Sequence, residues 1–255
     1  RVNRRFKILI ALLVMPCLTA CVTSSRGVAP SGTVDQVVES RVHAAKQYLV
    51  SKDFVAARRH LKKAYELAPN SADVHDALAL MFQYSGELIM AETHYQQAIV
   101  LGDGDSRLRN NYANFLYQSG RYDEALEQLQ LVSEDALYQN RESALLLKGL
   151  CQQSLSRFID ALSSYKKVLL LNGNNRAALR QLSFLSFEMQ DLNASWDYLQ
   201  RYKENVDRID AESLLLGIKI AEQLEWSDVR ASYAMTLRNL YPESESYQRL
   251  LMIDN

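Results

Sequence analysis

Glycine and proline are scarce in this chain, at 9 and 4 among 255 residues. Sandwiches and barrels of β-strands need turn residues at short intervals, and phosphate-cradling loops need glycines, so both are disfavoured. Cysteine is scarcer still, and three of them exclude a disulfide scaffold. Positive charge is not in excess either. A formal net charge of −1 gives no electrostatic footprint for nucleic acid. No His-Glu-x-x-His, Gly-x-Ser-x-Gly, P-loop or Cys-x-x-Cys signature occurs, so no catalytic motif is recognisable. What remains is 48% hydrophobic and 23% charged, the composition of a folded, mostly helical protein.

Arg1, Arg4, Arg5 and Lys7 precede an apolar run from Ile8 to Leu18. Such a run spans roughly 16 Å as a helix, about half a bilayer core, which fits a signal peptide and not a transmembrane helix. The chain opens on Arg instead of Met, so a few residues are expected to precede it. The run closes on Leu18-Thr19-Ala20-Cys21. That tetrapeptide resembles the bacterial lipobox, where signal peptidase II cuts before a diacylated cysteine. The resemblance implies that residues 1–20 are a lipoprotein signal peptide and that Cys21 carries a covalent lipid. No other cofactor and no metal is expected. Val22 follows, where Asp commonly marks inner-membrane retention in Gram-negative lipoproteins. The implied location is therefore the periplasmic face of the outer membrane.

Removing residues 1–20 takes four of the 29 basic residues and none of the 30 acidic ones, leaving a net charge of −5. On that average a polybasic membrane-binding surface is not expected, and lipid alone holds the chain. Val22 to about Asp35 is rich in Ser, Thr, Gly and Pro without periodicity. Residues 21–37 are accordingly read as the lipidated cysteine and a flexible tether, with an r.m.s. reach of roughly 20 Å. Of the cysteines only Cys151 then remains, flanked by Leu147, Gly149, Leu150 and Leu155. It is expected to be a buried, inert thiol.

Residues 38–255 repeat. Small residues recur at Ala57, Ala91, Ala125, Ala161 and Ser195, with Val229 sixth, at spacings of 34, 34, 36, 34 and 34. Twelve positions before each stands another small residue: Ala45, Ala79, Ala113, Gly149, Ser183 and Gly217. Four positions after each stands a large one: Leu61, Tyr95, Leu129, Tyr165, Leu199 and Tyr233. The spacing resembles the tetratricopeptide repeat, a helix–turn–helix unit that cannot bury its apolar face alone and must stack. The implied fold is all-α: a right-handed α-solenoid of about six repeats. Glu243 to Leu251 is expected to be a capping helix. Two extra residues between Ser133 and Arg141 predict a bend or a longer loop.

His43, His60, His75 and His94 lack metal-ligand spacing; His60 and His94 are the same position of neighbouring repeats. Gly102-Asp103-Gly104-Asp105 and Asn172-Gly173-Asn174-Asn175 read as inter-repeat turns. An enzyme is not expected. Tetratricopeptide arrays use their first helices as a concave gripping face. By register, repeat 3 presents Arg107, Asn110, Asn114 and Tyr117 there. Repeat 2 presents Asp73, Asp76, Leu80 and Gln83, and repeat 4 presents Leu146, Leu150 and Gln153. Arg and Asn on neighbouring turns suit a peptide backbone or a carboxylate.

Arg107 to Ala125, R-L-R-N-N-Y-A-N-F-L-Y-Q-S-G-R-Y-D-E-A, with its paired Asn before Tyr, completes a combination of lipobox, tether and repeats. It resembles the type IV pilus biogenesis and stability lipoproteins, the pilotin family, and the last two repeats match least. The resemblance implies an escort that binds the pilus secretin subunit and promotes its outer-membrane localisation and assembly. Neither nucleic acid nor a small-molecule substrate is implied. The alternative is a general periplasmic adaptor lipoprotein that docks cell-wall enzymes or other envelope proteins.

Overall fold

In a computed structural model, residues 33–253 are described. The signal segment 1–20, Cys21 and the tether through residue 32 lie outside the described residues. Among those described, thirteen helices and no strand occur. Six antiparallel pairs follow one another: α1 (Val34–Val50) with α2 (Phe54–Leu67), α3 (Ala72–Tyr84) with α4 (Leu88–Leu101), and α5 (Ser106–Gln118) with α6 (Tyr122–Glu134). Then come α7 (Arg141–Ser154) with α8 (Phe158–Leu171), α9 (Arg176–Glu188) with α10 (Leu192–Glu204), and α11 (Ala211–Gln223) with α12 (Ser227–Leu240). The thirteenth helix, α13 (Glu245–Ile253), closes the stack. This is the all-α solenoid of six repeats and a cap that the spacing predicts.

The first helix begins earlier than the composition suggests. Residues 34–37, read as the end of the tether, are helical. Thr33 caps them: its side chain accepts from the Gln36 N–H, and the Gln36 side chain accepts from the Thr33 N–H. Such a capping box satisfies two otherwise orphaned donors and overrides the polar, turn-rich sequence just before it.

Within each pair the small positions lie at the crossing. Ala45, Ala79, Ala113 and Ser183 are fully buried, as are Ala57, Ala91, Ala125, Ala161 and Ser195. At Gly149 an added Cβ would lie 2.4 Å from the Tyr165 ring, and at Gly217 it would lie 2.4 Å from Tyr233. The large residue four positions after the crossing therefore fills the space that the small residue vacates. Ser195 replaces the usual alanine at no polar cost, because its hydroxyl donates to the Ser183 carbonyl at 2.7 Å. Turns between paired helices use a residue in the left-handed region: Lys52, Gly86, Gly120, Ser156, Gln190 and Glu225. The last falls one position late in register, at the degenerate sixth repeat.

The two extra residues are absorbed as a loop between α6 and α7. Asp135 organises it, accepting from the Ser106 hydroxyl at 2.6 Å and from the Leu137 N–H at 3.0 Å. Arg141 donates back to the Ser133 carbonyl at 2.8 Å. At the far end α13 packs on α11 and α12, and Leu250 is buried there. This cover explains why Leu214, Leu215, Leu216, Ile218 and Ile220 of α11 are all buried. The buried core is made almost wholly by residues of the helices, joined by Ile209 from the connection between α10 and α11.

Candidate functional site

The first helices of successive pairs touch one another directly: α1 with α3, α3 with α5, α5 with α7, and α9 with α11. Second helices chiefly meet their own partner and the first helix that follows. A stack whose first helices approach more closely than its second helices curves toward the first, so α1, α3, α5, α7, α9 and α11 line the inner face.

Asp76 is the hub of its N-terminal half. It is 2% exposed, yet it accepts from Lys46 Nζ at 2.8 Å and from Asn111 Nδ2 at 2.7 Å. Arg107 lies 3.7 Å from Asp76 and donates to Asp73 at 2.6 Å. One carboxylate thus ties α1, α3 and α5 together. A buried carboxylate is tolerable only with such partners.

Of the residues selected by register, Arg107 joins this cluster. Asn114 donates to the Asn110 backbone carbonyl at 2.9 Å, and the Asn110 side-chain oxygen is buried without a partner among the described residues. Gln83 is committed to the fold: it accepts from Tyr95 Oη at 2.6 Å and donates to Gln118 at 2.9 Å. Tyr165 donates to Gln153 in the same way at 2.8 Å. The tyrosine bonds hold the two helices of a repeat together, the Gln83–Gln118 bond links neighbouring repeats, and together they leave those amides little capacity for a ligand. Tyr117 is half-buried against Tyr122, their rings 5.5 Å apart, and burial raises its phenol pKa. Leu80, Leu146 and Leu150 are half-buried at the edges of the core.

Lys46 and Asn111 were not among the expected residues. The signal for Lys46 was present, since it shares its register with Leu80, Asn114 and Leu150. Continuing that register gives Phe184, half-buried, with Phe187 one turn further on. Arg180 lies over the Phe184 ring at 4.8 Å and pairs with Asp210 and Glu212. The inner face therefore changes character along its length, charged over α1, α3 and α5, and over α7 and α9 formed by Leu146, Leu150, Phe184 and Phe187 beside the Arg180 ion pairs. Beside the charged end an open depression of about 780 Å³ is lined by Val38, Val42, His43, Lys46, Ser71 and Asp73.

Among the described residues no three His, Cys, Asp or Glu side chains are placed to hold a metal ion. His75 and His94 instead meet each other, Nδ1 to Nδ1 at 2.9 Å, and His75 Nε2 reaches the Pro69 carbonyl at 2.9 Å. No described helix is long and apolar enough to cross a membrane.

No family model matches the chain. Over 233 residues, however, it is 32% identical to the type IV pilus assembly protein PilF of Pseudomonas aeruginosa, covering 91% of this chain and 92% of that one. The chain belongs to the PilF family. A solved structure from a functional characterisation of Pseudomonas aeruginosa PilF matches with a TM-score of 0.78 at 31% identity, over 87% of this chain and 99% of that one. PilW, described as a widely conserved type IV pilus biogenesis factor, matches at 0.73 and 25% identity, over 85% and 99%. A tetratricopeptide-repeat protein with an unusual peptide-binding site, YrrB, shares the fold at 0.63 and 16% identity, over 75% and 97%. Like its PilF relatives, the chain is a type IV pilus biogenesis factor built on a protein-interaction scaffold.

Proposed function

We propose that this chain is a lipid-anchored escort in type IV pilus biogenesis. It binds secretin subunits through its inner face and promotes their localisation and assembly at the outer membrane. It works by protein–protein contact alone, without catalysis and without a small-molecule substrate. The observation that carries this reading is the relationship to a pilus assembly protein along nearly the whole chain. The inner face supports it in kind. A charged stretch followed by one bearing Leu and Phe side chains suits a client segment with polar groups at one end and apolar side chains at the other.

Lipidation at Cys21 supplies the rest of the mechanism. An acylated escort carries its client to the membrane it is sorted to. The tether then keeps the two at high local concentration beside the bilayer. Cys21→Ala tests this in cells. The variant is expected to accumulate as folded protein outside the outer-membrane fraction and to leave secretin monomeric or mislocalised. Normal outer-membrane multimers in that variant would contradict the escort mechanism. In that case the search moves to cell-wall enzymes and other envelope clients.

A further inference from the structure

The average charge of −5 conceals one strongly basic helix, α2, which carries four basic residues against one acidic. On α2, Arg58, Arg59, Lys62 and Lys63 are all exposed and share one face, with Glu66 the only acidic residue of the helix. Val55 stands in the middle of that face and is 82% exposed. No other second helix carries four basic residues; α8, α10 and α12 carry two each. On α4 there is no Lys or Arg, and α6 carries Asp123, Glu124, Glu127 and Glu134 with no basic residue. The cations of α2 are weakly neutralised. Among the described residues Arg59 and Lys62 form no ion pair, Arg58 reaches Glu87 only at 3.7 Å, and Lys63 pairs with Glu66 within the helix. Underneath, burial and then Arg59 and Arg41 hold the His60 pKa below its ordinary value, as expected in a positive local field.

Place decides what this face meets. As a second helix, α2 lies on the outside of the curve, away from the inner face. It also belongs to the first repeat, and only about a dozen residues separate Cys21 from the Thr33 cap. Fully extended, they span at most about 40 Å. An anchor at Cys21 therefore keeps the first repeat beside the bilayer while the later repeats extend from it. The face is also the outward side of a single helix, which offers charge to a plane.

We propose that the outer face of α2 rests on anionic phospholipid, with Arg58, Arg59, Lys62 and Lys63 against the headgroups and Val55 dipping between them. This rests on the lipid-anchor reading of Cys21. The contact orients the solenoid on the membrane and leaves the inner face turned toward the client. Each cation near an anionic surface strengthens binding by about fivefold, and the attraction fades with salt.

The test uses the non-acylated chain from Val22 onward, which contains the whole folded unit. Its binding to phosphatidylcholine vesicles is compared with binding to vesicles that also contain phosphatidylglycerol. Preferential sedimentation with the anionic vesicles is expected, weakening as ionic strength rises. R59E/K62E should lower that binding at least about tenfold. K166E/K167E on α8, which changes net charge equally, should leave it nearly unchanged. Circular dichroism confirms that both variants are folded. No preference for anionic vesicles, or equal losses in the two variants, overturns the proposal. So does binding to soluble polyglutamate without binding to vesicles, which would point to an acidic protein partner. Because the chain carries no lipid here, the outcome is independent of the Cys21→Ala experiment, and failure of either reading is seen separately.

Discussion

Replacing Gly149 with alanine puts a methyl group where Tyr165 already is. The new Cβ would lie 2.4, 2.7 and 2.9 Å from three ring carbons of Tyr165. Carbon atoms pack at roughly 3.5–4.0 Å, so the ring must retreat by about 1 Å. It has little room to do so. Tyr165 is fully buried among Leu145, Ala161, Val168, Ala178 and Leu182, and its hydroxyl donates to Gln153 at 2.8 Å. Overpacking of this kind costs about 1–3 kcal/mol, and losing the hydroxyl bond about 1 more. Better helix propensity returns about 0.5–1 kcal/mol. The net expectation is a destabilisation of about 1–3 kcal/mol, read from urea unfolding followed by circular dichroism. Gly173→Ala is the matched control. Its nearest neighbour would be the Leu169 carbonyl at 3.8 Å, so that change is expected to be neutral or slightly stabilising. In a Tyr165→Leu background the Gly149→Ala penalty should shrink, because the ring that causes it is gone. A Gly149→Ala protein as stable as wild type would refute the crossing argument for every repeat.

Three further outcomes follow from the same packing. Asp76→Ala strands Lys46 and Asn111 at the junction of α1, α3 and α5 and is expected to cost roughly 1–3 kcal/mol, with Asp76→Asn milder; unfolding midpoints check the order. Burial and the neighbouring His75 hold the His94 pKa below its ordinary 6.5, and burial does the same for His60. The unfolded chain therefore binds more protons, so the stability these groups contribute is complete above pH 6.5 and is lost as pH falls through their lowered pKa values. Thermal midpoints taken from neutral to mildly acidic pH should show the loss, and His94→Gln should flatten it. Burial pushes the Cys151 thiol up to about 12, so a chain beginning at Val22 should resist a thiol reagent until denatured; rapid native labelling would place that side chain elsewhere.

The fold was legible because the repeat spacing is a packing rule written in residue sizes. Ala45 with Leu61, or Gly149 with Tyr165, can be read as a crossing without coordinates, since only small against large closes the pair. The start of α1 was not legible. Val34 follows a Ser- and Gly-rich stretch, and the helix depends on a reciprocal cap between Thr33 and Gln36 that composition does not register. The inner face was legible by register alone. Arg107 and Asn114 lie where the pattern puts them, but Gln83 carries a hydrogen bond to Tyr95 that depends on how two helices meet. Asp76 and Arg107 were expected on the inner face, but the hub was missed because its other partners, Lys46 and Asn111, come from the repeats on either side. The basic face of α2 was missed for a simpler reason, which is that an average over the whole mature chain hides one helix.

The proposed escort role requires that this solenoid bring the pilus secretin to its assembled state. The most direct measurement deletes the gene, separates the membranes and blots for the heat- and detergent-resistant secretin multimer, beside a strain complemented with the wild-type gene. For an escort, the multimer is expected to disappear, or monomer to collect in the inner membrane, and complementation to restore it. Unchanged multimers and unchanged pili in the deletion strain would contradict the escort role.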